Sequence, residues 1–100
     1  MADEMHETYE TRLKRLHMRS WRRGMKEMDL ILGHFADDRL AALGPDQLAA
    51  YERLLSENDQ DLYLWVTRRI GAGGGDTGPA ALAPILDEIA GHAALRFGTA

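Results

Sequence analysis

The sequence predicts an all-α fold, a compact single-domain bundle of four to five short helices. Apolar residues recur at helical spacing along nearly the whole chain, and no segment alternates with the period of two that a half-buried strand requires. Gly, Pro and Asn punctuate the chain at intervals that leave room only for short helices with short connections, the pattern of a bundle. A chain of 100 residues fits one domain with a shallow core. The expected division is a core over about 8–70, a Gly-rich linker at 71–78 and a C-terminal helix over about 81–96.

Each element has its own signal. Tyr9, Leu13 and Leu16 step along one face of a first helix that should end near Trp21–Arg23, with Gly24 as the break. Met28, Ile31, Leu32 and Phe35 mark a second helix at the i, i+3, i+4, i+7 spacing, and Glu27 and Asp29 sit in its first turn, where the helix dipole favours acids. Pro45, after Gly44, suits the first position of a third helix whose buried face is Leu48, Tyr51 and Leu55. Asn58 is a good N-cap for a fourth, with Asp61 in place of the usual Glu of a capping box and a stripe of Leu62, Trp65, Val66 and Ile70. Residues 71–78 read as a flexible linker. A phosphate-binding loop would need a preceding strand and a following Gly-Lys-Ser/Thr, and neither is there. Leu82, Ile85, Leu86, Ile89 and Ala93 line a last helix, with Pro79 and Pro84 competing for its first turn.

Composition excludes several classes. Hydrophobic residues make up 45% and charged residues 28%, and no apolar run approaches the length of a membrane span, so no membrane insertion is expected. The absence of cysteine excludes disulfides, zinc–thiolate sites and thiol catalysis. The acidic first ten residues lack an apolar stretch and resemble neither a secretory signal nor a transit peptide, which makes a bacterial cytoplasm the simplest placement. The net charge of −4 disfavours nucleic acid as a partner, but the charge is polarised. Residues 12–26 hold seven bases and no acid, whereas 27–61 hold nine acids against Arg39 and Arg53. Such a pattern either steers a partner or lets two packed segments neutralise each other.

Catalytic chemistry finds little support. His6, His17, His34 and His92 match no local metal-ligand spacing. Asp37 and Asp38 read as a polar surface patch rather than an acid/base pair, and neither Ser20 nor Ser56 sits in a nucleophile elbow. The chain reads as a non-enzyme with no metal and no stably bound cofactor. Trp65 belongs to the apolar stripe. Trp21, flanked by Arg19, Arg22 and Arg23, has the mixture of an interaction hot spot. A small nucleic-acid-binding helical domain using the basic 12–26 segment is the alternative.

The most informative stretch runs from Arg22 to Asp29. Arg23 and Glu27 could form an i, i+4 ion pair beside a helix-start glycine. They could instead flank a bare backbone at Gly24 with a donor and an acceptor, a shaped patch for another protein. This stretch, Arg-Arg-Gly-Met-x-Glu-x-Asp, resembles the signature of the succinate dehydrogenase assembly factor 2 family (SdhE in bacteria), whose Arg-Gly-x-x-Glu core falls on Arg23, Gly24 and Glu27. Arg19 and Arg22 match the approach to that core, and Leu54-Leu55 through Asp59, Asp61, Leu62 and Trp65 resemble a second motif downstream. The resemblance covers roughly residues 12–70; the Gly-rich stretch and the last helix depart from it. It implies a five-helix bundle that acts as a dedicated chaperone. The partner would be the flavoprotein subunit of succinate dehydrogenase, and possibly fumarate reductase too. FAD would become attached, through its 8α carbon, to a histidine of that client and not of this chain. On this reading Arg23, Gly24 and Glu27 enter the interface, Arg19, Trp21, Arg22 and Asp29 support it, and Asp59, Asp61 and Trp65 are structural.

Overall fold

The computed structural model describes residues 7–71 and 75–98. Five α-helices follow in order: α1 Tyr9–Trp21, α2 Lys26–Arg39, α3 Pro45–Leu54, α4 Asp59–Gly71 and α5 Ala83–Phe97. Single 3₁₀ turns at Leu40–Ala42 and Ala80–Leu82 lead into α3 and α5, and no strand occurs among the described residues. The helix starts follow side-chain chemistry. The Thr8 hydroxyl accepts the Thr11 N–H at 3.0 Å ahead of α1. Pro45 occupies the first turn of α3. Asn58 Oδ1 accepts the Gln60 N–H at 2.8 Å ahead of α4. The two competing prolines divide the work: Pro79 precedes the second 3₁₀ turn and Pro84 sits in the first turn of α5.

Helix α2 lies centrally and packs on α1, α4 and α5, while α3 packs on α5 and the turn before it. The expected stripes are the core: Met28, Leu32 and Phe35 from α2, Leu48 and Tyr51 from α3, Leu62 and Val66 from α4, Leu82 from the second 3₁₀ turn, and Ile85 and Ile89 from α5 are all buried. The first helix differs from expectation. Leu16 is buried, but Tyr9 is 52% exposed and spends its hydroxyl on the Ala41 carbonyl at 3.3 Å.

Two contacts fix how α1 lies on its neighbours. Gly33 of α2 is buried under the Trp21 indole, so closely that a Cβ there would stand 2.3 Å from the ring. Ser20, also buried, donates to the Leu16 carbonyl at 2.8 Å and lies 2.5 Å from the Tyr51 hydroxyl of α3. Burial pushes the ionisation of that phenol well up, so Tyr51 stays a neutral hydrogen-bonding group.

The Gly-rich stretch is no free tether over the part that is described. Arg68 donates to the Asp76 carbonyl at 2.7 Å, Arg69 donates to the Thr77 carbonyl, and Gly78 takes a φ of 99° against the Trp65 ring. The remainder of the expected linker, 72–74, lies outside the described residues, as does His6.

The polarised charge is partly consumed by packing. Glu52 of α3 accepts from Arg12 at 3.0 Å and from Arg15 at 2.8 Å, and Arg15 also grips Glu7 at 2.7 Å. Hydrogen bonding from Arg15 holds the Glu52 carboxyl below its ordinary value of 4.5. A carboxylate depressed in the fold stabilises it above its unfolded pKa, and that contribution is lost as pH falls through the folded value. The melting temperature of Glu52→Gln should therefore fall less than that of the parent between neutral pH and about pH 3, where carboxylates protonate. Thermal melts at the two pH values check this. A second expectation concerns Gly33→Ala, which forces the indole aside. It should cost about 1–3 kcal/mol in urea unfolding and red-shift tryptophan emission.

Candidate functional site

The stretch singled out by sequence folds into the corner between α1 and α2, and its residues divide into an inner and an outer set. Arg23 belongs to the inner set. Its guanidinium donates from Nε to Asp59 Oδ1 at 2.6 Å, from Nη1 to the Leu55 carbonyl at 2.6 Å and from Nη2 to the Glu57 carbonyl at 2.9 Å. Its side chain is only 9% exposed and that of Asp59 is 19%. The reason is local. The Leu55 and Glu57 carbonyls lie in the connection just past the end of α3, and a planar fork with donors on several edges can satisfy both while pairing with a carboxylate. Arg23 thus pairs with Asp59 rather than with Glu27, and it faces inward instead of offering an outward donor.

Two carboxylates complete the inner set. Asp59 Oδ2 accepts the Gly24 N–H at 2.9 Å, so one side chain binds two consecutive residues of the corner. Asp29 Oδ1 accepts the Arg23 N–H at 2.6 Å. Asp29 is therefore a brace inside the corner, in addition to its favourable place at the α2 N-terminus.

The outer set is Gly24, Glu27, Arg22 and Lys26, all exposed. A Cβ on Gly24 would meet only Asp59 Oδ2, at 3.7 Å, which is ordinary contact, and its backbone is not in the left-handed region. The fold does not require glycine here. Glu27 makes no hydrogen bond or ion pair among the described residues. It borders a polar shelf formed with Gly24, Asn58 and Gln60. On its other side it borders an apolar groove of about 230 Å³ lined by Leu30, Ile31, Tyr63, Ile70 and Phe97.

Trp21 is not a free aromatic. Its ring covers Gly33 and meets His34 edge-on at 5.0 Å, and its N–H reaches Asp37 Oδ1 at 3.2 Å. Arg19 and Arg22 instead line a groove along α1. Asp37 and Asp38 are exposed, but each ties a different helix to α2. Asp37 takes His17 of α1 as well as Trp21, and Asp38 takes His92 of α5 at 2.8 Å. Burial alone would raise Asp37, but the Trp21 and His17 contacts hold it below its ordinary value, and His92 does the same for Asp38. These donors offset the unfavourable position of two carboxylates in the last turn of a helix. Among the described residues no group of three or more His, Asp or Glu could hold a metal.

Sequence reasoning missed Asp59 as part of the corner and Gly33 as the seat of Trp21. An acid at a helix start has sufficient local reason to be there, and nothing in the chain announces a partner 36 positions away. The inner and outer sets should separate in mutants. Arg23→Ala leaves Asp59 and two carbonyls unmatched and should cost about 3–5 kcal/mol, whereas Gly24→Ala should stay within about 0.5 kcal/mol of the parent. Urea unfolding of both variants measures the contrast.

Comparison with known proteins places the chain in a family. The model of the family described as Sdh5, flavinator of succinate dehydrogenase, matches residues 14–93. Similar curated proteins include succinate dehydrogenase assembly factor 2, mitochondrial, of Meyerozyma guilliermondii, 45% identical over 62 residues, which are 62% of this chain and 46% of that protein. The protein of the same name from Aspergillus terreus is 48% identical over 54 residues, 54% of this chain and 18% of that one. The one from Kluyveromyces lactis is 41% identical over 61 residues, 61% and 37% of the two chains. The chain thus spans less than half the length of each of these relatives. No solved structure matches it. The placement in a bacterial cytoplasm is corrected by these relatives, which are fungal proteins named as mitochondrial; composition of an N-terminus was too weak a basis for a compartment. With the match extending over most of its length, the chain belongs to the Sdh5 family, the flavinators of succinate dehydrogenase.

Proposed function

We propose that this chain promotes covalent attachment of FAD to the flavoprotein subunit of succinate dehydrogenase, docking on that subunit through Gly24 and Glu27. The observation that carries the reading is an exposed glycine the fold does not need, set beside a glutamate without a partner among the described residues, inside a family described by flavinylation. A bare backbone lets another main chain approach closely, and Glu27 offers an acceptor to an N–H or a cation of the client. Arg19 and Arg22 flank that contact. Trp21, Arg23 and Asp29 act by shaping the corner.

The chain contributes no reacting group and holds no flavin of its own. It raises the rate by holding client and cofactor in a geometry where bond formation is fast, and the bond forms on the client's residue. Fumarate reductase is a second client on this reading.

The test is co-expression of the succinate dehydrogenase flavoprotein with and without this chain, in a host lacking its own factor. Denaturation-resistant flavin fluorescence on the flavoprotein should rise clearly with the chain present. Glu27→Ala should weaken binding by about 2 kcal/mol, roughly thirtyfold, and lower that fluorescence. Gly24→Arg should abolish co-purification with the client while circular dichroism stays that of the parent. Equal fluorescence with and without the chain, or normal client binding by Gly24→Arg, overturns the proposal.

A further inference from the structure

The basic stretch of α1 retains charge that packing does not neutralise. Arg12 and Arg15 are held by Glu52 and Glu7, and Arg23 by Asp59. Lys14, Arg19 and Arg22 pair with no carboxylate among the described residues. These three line a single groove of about 500 Å³ that runs along α1 from Thr11 to Arg23. Met18, 50% exposed, gives it an apolar floor.

We propose that this groove binds a short acidic segment of a partner polypeptide laid along α1. The proposal rests on the reading that the chain docks on another protein, and it names the chemistry of a second contact. The spacing of the free cations selects an elongated ligand. At 1.5 Å per residue, Lys14 and Arg19 are separated by about 7.5 Å along the axis, and Arg19 and Arg22 by about 4.5 Å. The three are spread over about 12 Å of the helix axis, which suits an elongated ligand better than one compact anion. An extended peptide presents same-face side chains about every 6.7 Å, close to the mean of those intervals.

The ends of the groove select a short ligand. Glu7 and Glu10 stand beside its Thr11 end, and Asp59 lies behind Arg23 at the other. A nucleic-acid strand running on past either end would meet these carboxylates within about a Debye length, roughly 8 Å at physiological salt. A segment of about five residues fits between them at about 3.3 Å per residue. The exposed Met18 accepts an aliphatic side chain between the acids. The Arg23 end abuts the Gly24 corner, so such a segment would lie next to the proposed client contact.

The experiment is an NMR titration of the ¹⁵N-labelled chain with the synthetic pentapeptide Glu-Leu-Glu-Leu-Glu, capped at both ends, its Gln-for-Glu counterpart, and a DNA duplex of eight base pairs. The Glu peptide should shift amides between Thr11 and Arg23, at least tenfold more weakly in 0.5 M NaCl, and the Gln peptide should not. Lys14→Glu combined with Arg19→Glu should abolish the shifts, and Lys14→Gln with Arg19→Gln serves if the charge reversal disturbs folding. No shift in the groove, equal shifts in the doubly substituted chain, or tighter binding of the duplex overturns the proposal. Loss of peptide binding with normal flavinylation removes the groove alone. Normal peptide binding without flavinylation removes the client reading alone.

Discussion

One guanidinium connects the parts of this small bundle that its core cannot. Arg23 joins the corner between α1 and α2 to the end of α3 and the start of α4, through two main-chain carbonyls and Asp59. A charge this enclosed is tolerated only when its donors are matched, and here three acceptors are arranged around it. The arrangement is mutually enforcing. The carbonyls are available because α3 ends there, and Asp59 is available because α4 begins there.

The corner inherits its geometry from that contact. Asp59 also receives the Gly24 N–H and Asp29 the Arg23 N–H, so the corner's polar main chain is directed inward. What reaches solvent is Gly24 and Glu27, with Arg22 and Lys26 beside them. Farther along α2, Gly33 under Trp21 and the paired Asp37 and Asp38 tie α1 and α5 to the same helix. Helix α2 is therefore both the centre of the core and the element that presents the outward patch at its first turn.

Helices and core were legible because they depend on periodicity, which is a local property of the chain. The stripe residues of α2 to α5 fell where spacing put them, and Asn58 and Pro45 marked helix starts through chemistry that acts over one turn. The motif was legible as a unit, but the roles within it were not. Arg23 and Glu27 look equally available four residues apart on a helix, and only the loose carbonyls of a distant helix end decide that one turns in and the other out. Trp21 was ambiguous for the same reason. Its neighbours in sequence are arginines, while its neighbours in space are Gly33 and His34. The charge pattern offered two readings, steering or internal neutralisation, and neutralisation holds for part of the stretch. Arg12, Arg15 and Arg23 are neutralised, whereas Lys14, Arg19 and Arg22 pair with no carboxylate among the described residues.

The inward turn of Arg23 has a consequence for reading variants of this family. Two adjacent motif positions can both lose activity in cells for unrelated reasons. A lesion at the arginine lowers the amount of folded factor, and chaperones or extra gene dosage can then restore part of the phenotype. On the proposed docking role, a lesion at the glycine leaves abundance intact and produces a full complement of incompetent molecules. Those molecules would still occupy any contact that survives. The two classes would therefore differ in dominance as well as in severity, although the motif alone gives no means of telling them apart.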